Sequence, residues 1–286
     1  MKMQKKMLCL AVLGTAMASA APMPAAAGTV GYFKDAGICP ANYIGDPTAA
    51  ITAAGHTPVA VATLDAPSLA GLDALVVLVG CATWPGNAAV NDAVSAGMAL
   101  VLDVGQGGSS PSANLPGAPV FSPAFSCPTN VDIATGAPIA SGPGGTLDDA
   151  SFDFSSGLCA VVGTVAAASL PAGSAAFLVS GGDQGSVAAF GYTHGQGRVA
   201  YSMSQISLQL PGQQTGYDMS WAPAASTYIT NALAWTAAAG PVTTCASEGY
   251  TGTKLEWCKN ICERGYTGGT LAMWIRRWTD RYRTLP

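Results

Sequence analysis

The sequence has few charged residues and almost no histidine. Only 10% of its 286 residues are charged and two are histidines, so a histidine-rich metal site is excluded. A formal net charge of -4 argues against nucleic-acid binding, which needs a large basic surface. After the first twenty residues, no apolar run reaches the length of about 20 residues that spans a bilayer. Hydrophobic residues make up 49% of the chain, which is enough for a packed core and excludes wholesale disorder.

The first twenty residues have the three-part layout of a secretory signal peptide. Three lysines precede an apolar stretch at 7–17, and the small residues Ala18, Ser19 and Ala20 follow it. A buried N-terminal helix is the alternative interpretation. The segment predicts a signal peptide at 1–20 and a bacterial protein that is secreted or periplasmic, without a membrane span.

Charge divides the remaining chain in two. Residues 28–240, here called the body, carry twelve aspartates, no glutamate and only Lys34 and Arg198 as basic residues, a formal charge of -10. Residues 245–286, here called the tail, carry seven basic and four acidic residues, a formal charge of +3. Such a change within one chain indicates a domain boundary. The Gly-Pro and Thr-Thr pairs before Cys245 predict a linker at 241–244.

The body alternates between strand and helix patterns. Continuous apolar runs at 73–80 and 98–104 are typical of strands buried on both faces. The other predicted strands are 29–33, 57–62, 161–170, 175–180, 187–192 and 198–203, and the predicted helices are 48–54, 87–96 and 224–238. The early alternation of strand and helix indicates a parallel sheet with helices on both sides. The predicted fold class is α/β, with an open, mostly parallel, flavodoxin-like sheet and flanking helices.

Three segments of the body resemble the class I glutamine amidotransferase-like superfamily and, within it, the noncatalytic, trehalose-utilisation-like branches. They are GLDALVVLVG, AGMALVLDVGQGG and GQGRVAYSMSQ, the last followed by a helix ending in NALAW. The resemblance covers residues 29–238. It implies, for catalytic members, a cysteine nucleophile in the sharp turn after a strand. The corresponding turn, 104–106, contains no cysteine, which argues against amidotransferase or protease chemistry.

Four residues of the body are candidates for a site. Cys81 follows a buried strand, and a thiolate nucleophile needs a histidine beside it. His194 is its only candidate partner, although its sequence context, YTHGQGRVAY, also fits a turn between strands. Asp103 ends a buried strand at the edge where ligands bind in open α/β sheets. With Gln106 nearby, Asp103 is the candidate ligand-binding residue, or else it caps a helix or binds a loop amide.

Other motifs in the body do not match known cofactor sites. Asp148, Asp149 and Asp153 are the densest acidic group, but their spacing does not match a calcium-binding loop. We therefore expect the aspartates at turns and helix caps. The glycine runs GQGG and SGGDQG lack the lysine of a phosphate-binding loop. No metal or cofactor is predicted.

The cysteines that follow the predicted signal peptide are disulfide candidates, because disulfides form outside the cytoplasm. Strand ends that lie side by side predict a Cys39–Cys81 bond. Cys127 and Cys159 flank a long Gly/Ser/Pro-rich segment and are predicted to close it. In the tail, Cys245 is expected to pair with Cys258 or Cys262. Seven cysteines remain after the signal peptide, so one has no partner within the chain.

The tail is too short to build a stable core without a crosslink. Helix patterns at 253–263 and 270–282 predict a disulfide-stapled helical hairpin packed around Trp257. The tail resembles a short cysteine-containing C-terminal module of secreted bacterial proteins, on the segments CASEGYTGTKLEWCKNICERGYTGGT and MWIRRWTDRYRTLP. A protein, a glycan or an anionic surface could bind through Trp274, Arg276, Arg277 and Trp278. Alternatively, the tryptophans form the core and the arginines are solvated.

Two functions are consistent with these patterns. The first is a secreted, noncatalytic binding or structural domain with a C-terminal attachment or interaction module. The alternative is a secreted hydrolase of the amidotransferase-like superfamily with a displaced site around Cys81, Asp103 and His194. The redox state of Cys81 discriminates between them, because only a free thiol can act as a nucleophile.

Overall fold

The computed structural model of the protein describes residues 28–105, 112–121, 123–124, 127–153, 159, 163–212, 221–237, 245, 250–262 and 268–282. They belong to two compact units, one with the described residues up to 237 and the other with those from 245 onward. The predicted signal peptide (1–20), the predicted linker (241–244) and Gln106 lie outside the described residues, as does the Cys262 side chain.

Twelve strands and five α-helices are present in the described part of the body. The strands are β1 (Thr29–Gly37), β2 (Thr57–Ala60), β3 (Ala74–Cys81), β4 (Ala99–Val104), β5 (Pro123–Ala124), β6 (Val131–Ile133), β7 (Ser141–Gly142), β8 (Gly145–Thr146), β9 (Thr164–Ala166), β10 (Ala175–Ser180), β11 (Asp183–His194) and β12 (Gly197–Ser202). The helices are α1 (Thr48–Ala53), α2 (Ala66–Leu69), α3 (Ala88–Ser95), α4 (Ile206–Gln209) and α5 (Ala222–Ala237).

One ten-stranded sheet organises the body. Its main order is β2-β1-β3-β4-β12-β11-β10-β6, and β9 joins β5 to β11. Strands β2, β1, β3, β4 and β12 are parallel, whereas β12, β11, β10 and β6 pair antiparallel. The order β2-β1-β3-β4 is that of flavodoxin-like sheets. The predicted α/β class with a parallel sheet is confirmed.

The centre of the sheet is buried on both faces. Every residue of β4 and all but the last of β3 are buried, as expected for parallel strands covered on two sides. Helix α1 packs against α5, and α2 packs against α3. These layers place the ends of β3, β4 and β12 at one edge of the sheet, which we call the carboxyl edge.

Aspartates and asparagines of the body bind local backbone amides. Asp65 Oδ1 accepts the Ser68 N–H at 2.9 Å, and Asn87 Oδ1 accepts the Val90 N–H at 3.0 Å. Asp148 caps a short 3₁₀ turn, and Asp149 Oδ1 accepts the Ile133 N–H. These contacts are the capping and turn roles expected from the sequence.

Several elements differ from the sequence prediction. Within the described part of the strand predicted at 161–170, Thr164–Ala166 is a strand, and Ala167–Ser169 forms a 3₁₀ turn before Pro171. Strand β6 and helix α4 are absent from the prediction, since neither segment is long enough to show a hydrophobic period.

Cys127 bonds to Cys159, the pairing that the sequence predicts.

The edge strand β2 contains a proline. Thr57 and Val61 donate their N–H groups to Gly28 and Tyr32 on the β1 side. The alternate residues, Pro58 and Ala60, therefore direct their backbone groups away from the sheet. Because proline has no N–H, the outer side of β2 lacks one donor.

The tail is a helical hairpin closed by one disulfide. Its helices are α6 (Gly252–Cys262) and α7 (Gly268–Tyr282), and Cys245 bonds to Cys258. Trp278 is 1% exposed and packs against Tyr250 and Tyr282. The expectation that Trp257 is the centre is wrong, because the apolar face of α7 places Trp278 beside the disulfide. Among the described residues, no helix could cross a membrane.

Candidate functional site

Asp103 lies in a sealed position at the carboxyl edge. It is the second-last residue of β4, and its register partner on β12 is Ser202. The side chain is completely buried, and Oδ2 accepts the Ser207 N–H at 2.7 Å. Ser207 belongs to α4, so this helix covers the end of the strand. The alternative that Asp103 binds a loop or helix amide is therefore observed.

Hydroxyl groups surround Asp103. Ser202 Oγ lies 2.7 Å from Ser204 Oγ, and Tyr228 on α5 is fully buried beside Asp103. We call Asp103, Ser202, Ser204, Ser207 and Tyr228 the carboxyl-edge cluster. Within the part of the chain that the structure describes, Asp103 Oδ1, Ser207 Oγ and Tyr228 OH have no hydrogen-bond partner. Buried polar atoms without partners are uncommon, and each one needs an explanation.

Burial controls the charge of this cluster. Removal from water raises the pKa of the Asp103 carboxyl to about 7, against the opposing effect of Ser207. Burial also raises the pKa of Tyr228, and the nearby Asp103 charge adds to that rise. Arg198 donates to the Trp235 carbonyl at 3.0 Å and stacks on the Trp235 ring. Among the described residues of the body, Asp103 therefore forms no ion pair.

Cys81 reaches the same edge but carries no thiol. It is the last residue of β3 and pairs in register with Gly37 of β1, which brings it beside Cys39. The two cysteines form a disulfide with 5.4 Å between their Cα atoms, the pairing that the sequence predicts. A nucleophilic role for Cys81 is inconsistent with this bond.

His194 lies at the amino ends of the parallel strands, opposite the carboxyl edge. It ends β11 and pairs with Gly197, whereas Asp103 pairs with Ser202. These partners are five residue steps apart on β12, about 16 Å along the strand. The structure thus does not bring His194 to Cys81 or Asp103, because the antiparallel return of β11 carries it to the amino ends of the parallel strands. The turn interpretation of His194 agrees with this position.

A surface cavity of about 480 Å³ adjoins His194, and the sequence does not indicate it. Asn87, Asn91 and Asn114 contribute to its lining. Their amides are engaged within the protein, with Leu64, Gly117 and Trp84 respectively. Burial lowers the pKa of His194, against the raising effect of Asp92. The asparagines of the cavity wall are therefore fixed by hydrogen bonds within the protein. The His194 imidazole is neutral at neutral pH.

The serines of the carboxyl-edge cluster are also missed by sequence reasoning. Ser202, Ser204 and Ser207 occur in VAYSMSQISLQL, where every residue from 201 to 210 is buried. The available signal is the recurrence of small hydroxyl residues inside a segment otherwise rich in apolar side chains. That signal does not identify Asp103 as their neighbour, because the contact spans 104 positions of sequence.

The predicted partner-binding residues of the tail divide into two groups. Arg276 and Arg277 are exposed, and Arg277 stacks on the half-buried Trp274 at 5.0 Å. Trp278 is in the core, so its predicted contact with a partner is wrong. Of the predicted binding residues, Trp274, Arg276 and Arg277 are therefore accessible to a partner.

No protein-family model and no curated protein matches the chain. Among solved structures, it is similar to two cytoplasmic proteins of Salmonella typhimurium. STM3548 has 13% identity and a TM-score of 0.43 over 73% of this chain and 98% of its own. STM1381 has 11% identity and a TM-score of 0.44, over 73% and 99%. A GMP synthase-like protein of Thermoplasma acidophilum has 12% identity and a TM-score of 0.40, over 73% and 96%. Similarity at this level assigns no activity to the chain.

Proposed function

We propose that this protein is a secreted or periplasmic, noncatalytic binding or structural protein, with the tail as an attachment or interaction module. The observation that carries the proposal is the Cys39–Cys81 disulfide. It removes the one thiol that the sequence offered at the carboxyl edge, where a nucleophile would meet a ligand. The bond also joins the ends of β1 and β3, which favours a rigid scaffold.

The proposed location outside the cytoplasm has two supports. Three disulfides occur among the described residues, and such bonds are typical of oxidising compartments. The N-terminal sequence also has the layout of a signal peptide. Mass spectrometry of the periplasmic and extracellular fractions of an expressing bacterium should find a chain that begins near Ala21.

We further assign the body to the noncatalytic, trehalose-utilisation-like branch of the amidotransferase-like superfamily. The quoted segments GLDALVVLVG and AGMALVLDVGQGG correspond to the buried strands β3 and β4. The strand order β2-β1-β3-β4 agrees with a flavodoxin-like sheet. The turn after β4 has no cysteine, which supports the noncatalytic branch.

The tail supplies the proposed attachment. Arg276 and Arg277 are exposed on α7, and Trp274 lies under Arg277. Arginine and tryptophan together suit an acidic protein, a glycan or an anionic surface. Arg276→Glu/Arg277→Glu should weaken retention on an anionic resin or vesicle, whereas the neighbouring exposed Thr279→Ser should not.

The central test combines thiol mapping with activity. Alkylation of the unreduced, denatured protein, followed by peptide mapping, should leave Cys39 and Cys81 unlabelled. Panels of amide, ester and glycoside substrates should give no turnover above that of the Cys81→Ser variant. Cys127→Ser, which breaks a different disulfide, is the matched control. Turnover that disappears in Cys81→Ser but persists in Cys127→Ser would overturn the noncatalytic assignment.

A further inference from the structure

Residues 204–212, which contain α4, form a cap over the carboxyl edge. The Ser207 N–H binds Asp103 Oδ2 at 2.7 Å. On the other side of the cap, the Ser207 carbonyl accepts the Gly45 N–H at 2.9 Å. The Pro211 carbonyl accepts the Asp46 N–H at 2.7 Å. All residues from 204 to 210 are buried. The cap is therefore held by three buried apolar side chains, Ile206, Leu208 and Leu210, and by three identifiable bonds, one of which ends on a carboxyl group.

Among the residues that the structure describes, no positively charged group compensates that carboxyl group. It faces Ser202 from β12, Ser207 from the cap and the titratable Tyr228 from α5, and its register partner on β3 is the apolar Leu78. Lys34 of β1 is at the same register level, two strands away, or about 10 Å between Cα atoms. Its side chain is exposed to solvent. An ionised Asp103 under a closed cap would thus be a buried charge without a counter-ion, which is strongly unfavourable.

We propose that loss of the Asp103 proton opens the cap and exposes the carboxyl edge, so that pH gates access to this part of the body. The protonated acid tolerates burial among hydroxyl groups, whereas the carboxylate is stabilised by water that only the open form admits. The carboxyl edge is where ligands bind in open α/β sheets. Opening of the cap becomes more favourable as the pH rises from acid to neutrality, and it levels off above neutrality. The biological meaning of this gate rests on the proposed binding role.

The coupling between proton loss at Asp103 and cap opening determines how strongly opening depends on pH. We take Asp103 to regain an ordinary carboxyl pKa when the cap opens. The equilibrium constant for opening then rises with pH between this ordinary pKa and the higher pKa of the closed state. With a closed-state pKa of about 7, the equilibrium constant for opening increases about 30-fold from pH 5.5 to pH 8.5.

Hydrogen exchange of the full-length, oxidised protein, followed by mass spectrometry, tests this proposal. Protection factors corrected for the intrinsic pH dependence of exchange are compared at pH 5.5 and pH 8.5 for peptides that cover 204–212. We expect protection of the cap to fall about 30-fold in the wild type and to be independent of pH in Asp103→Asn. Asp132→Asn on β6 is the matched control and should behave like the wild type.

Two results would overturn the proposal: a wild-type cap whose protection does not change with pH, or a change that persists in Asp103→Asn.

If Asp103→Asn does not fold, Gly45→Ala replaces it. A Cβ at Gly45 would overlap the Leu210 carbonyl, so this variant should expose the cap at both pH values and abolish the difference; a pH difference that persists in Gly45→Ala counts against the proposal. Peptides of β3 report global unfolding and should stay protected throughout. Since no ligand or substrate enters the measurement, its failure is distinct from failure of the proposed function.

Discussion

At the scale of single residues, Asp103 gives the body an unusual dependence of stability on pH. Its folded pKa, about 7, lies above that of an unfolded aspartate. Its contribution to stability is therefore complete below about pH 4 and is lost as the pH rises through 7. The full loss is on the order of 4 kcal/mol. This direction is opposite to that of the salt-bridged carboxylates that dominate most acid denaturation.

We expect Asp103→Asn to remove this loss. Between pH 5 and pH 8, the wild type should lose about 3 kcal/mol of unfolding free energy relative to Asp103→Asn. Urea denaturation at the two pH values measures the difference. Burial lowers the pKa values of His56 and His194, so both favour the folded state at higher pH, but they act equally in the two proteins. Parallel pH profiles for the wild type and the variant would contradict the prediction.

At the scale of elements, the Cys39–Cys81 bond ties together the ends of two neighbouring parallel strands. It closes a loop with a sequence separation of 42. In the chain-entropy model, a bond over such a loop is worth about 4 kcal/mol. Cys39→Ser/Cys81→Ser should lower the unfolding free energy by about that amount, as measured by urea denaturation.

A nearby exposed residue provides the control for this disulfide. Ile38 is 95% exposed beside Cys39, so Ile38→Ala should change the unfolding free energy by no more than about 0.5 kcal/mol. If the double serine variant were as stable as Ile38→Ala, the loops after β1 and β3 would be ordered without the bond. The strands themselves would then account for the geometry of this edge.

Elements with a strong local pattern could be predicted from the sequence. The apolar runs of β3 and β4 identify strands buried on both faces, and the adjacency of β3 to β1 leads to the Cys39–Cys81 pairing. The position of His194 could not be predicted, because the direction of β11 depends on pairing with β12 and β10 rather than on its own residues. The same holds for the cap: its contacts with Asp103 and Gly45 are distant in sequence.

At the scale of the whole molecule, we expect the tail to fold independently of the body and to depend on its disulfide. The Cys245–Cys258 bond closes a loop with a sequence separation of 13, which is worth about 3 kcal/mol in the chain-entropy model. That is comparable to the whole stability of so small a unit. Cys245→Ser/Cys258→Ser should therefore melt α6 and α7 while the body stays folded.

Limited proteolysis of this variant is the measurement. The tail should be degraded and the body should survive as one fragment, and the wild type should be cut first between Gly240 and Thr244. The variant leaves the two body disulfides intact, which reduction would not. Protection of the tail in the variant, or loss of the body together with it, would show that the two units do not fold separately.

Pro58 has a consequence for solubility. Strand β2, with the sequence TPVA, has no charged side chain to keep other chains from its open edge, and an open edge could accept a foreign strand and start a fibril. The missing N–H of Pro58 interrupts the outer side of β2, so an added strand could not complete its ladder there. Pro58→Thr restores the donor, and light scattering should then detect concentration-dependent growth of particles that the wild type does not form. One imino acid would thus separate a monodisperse protein from one that polymerises.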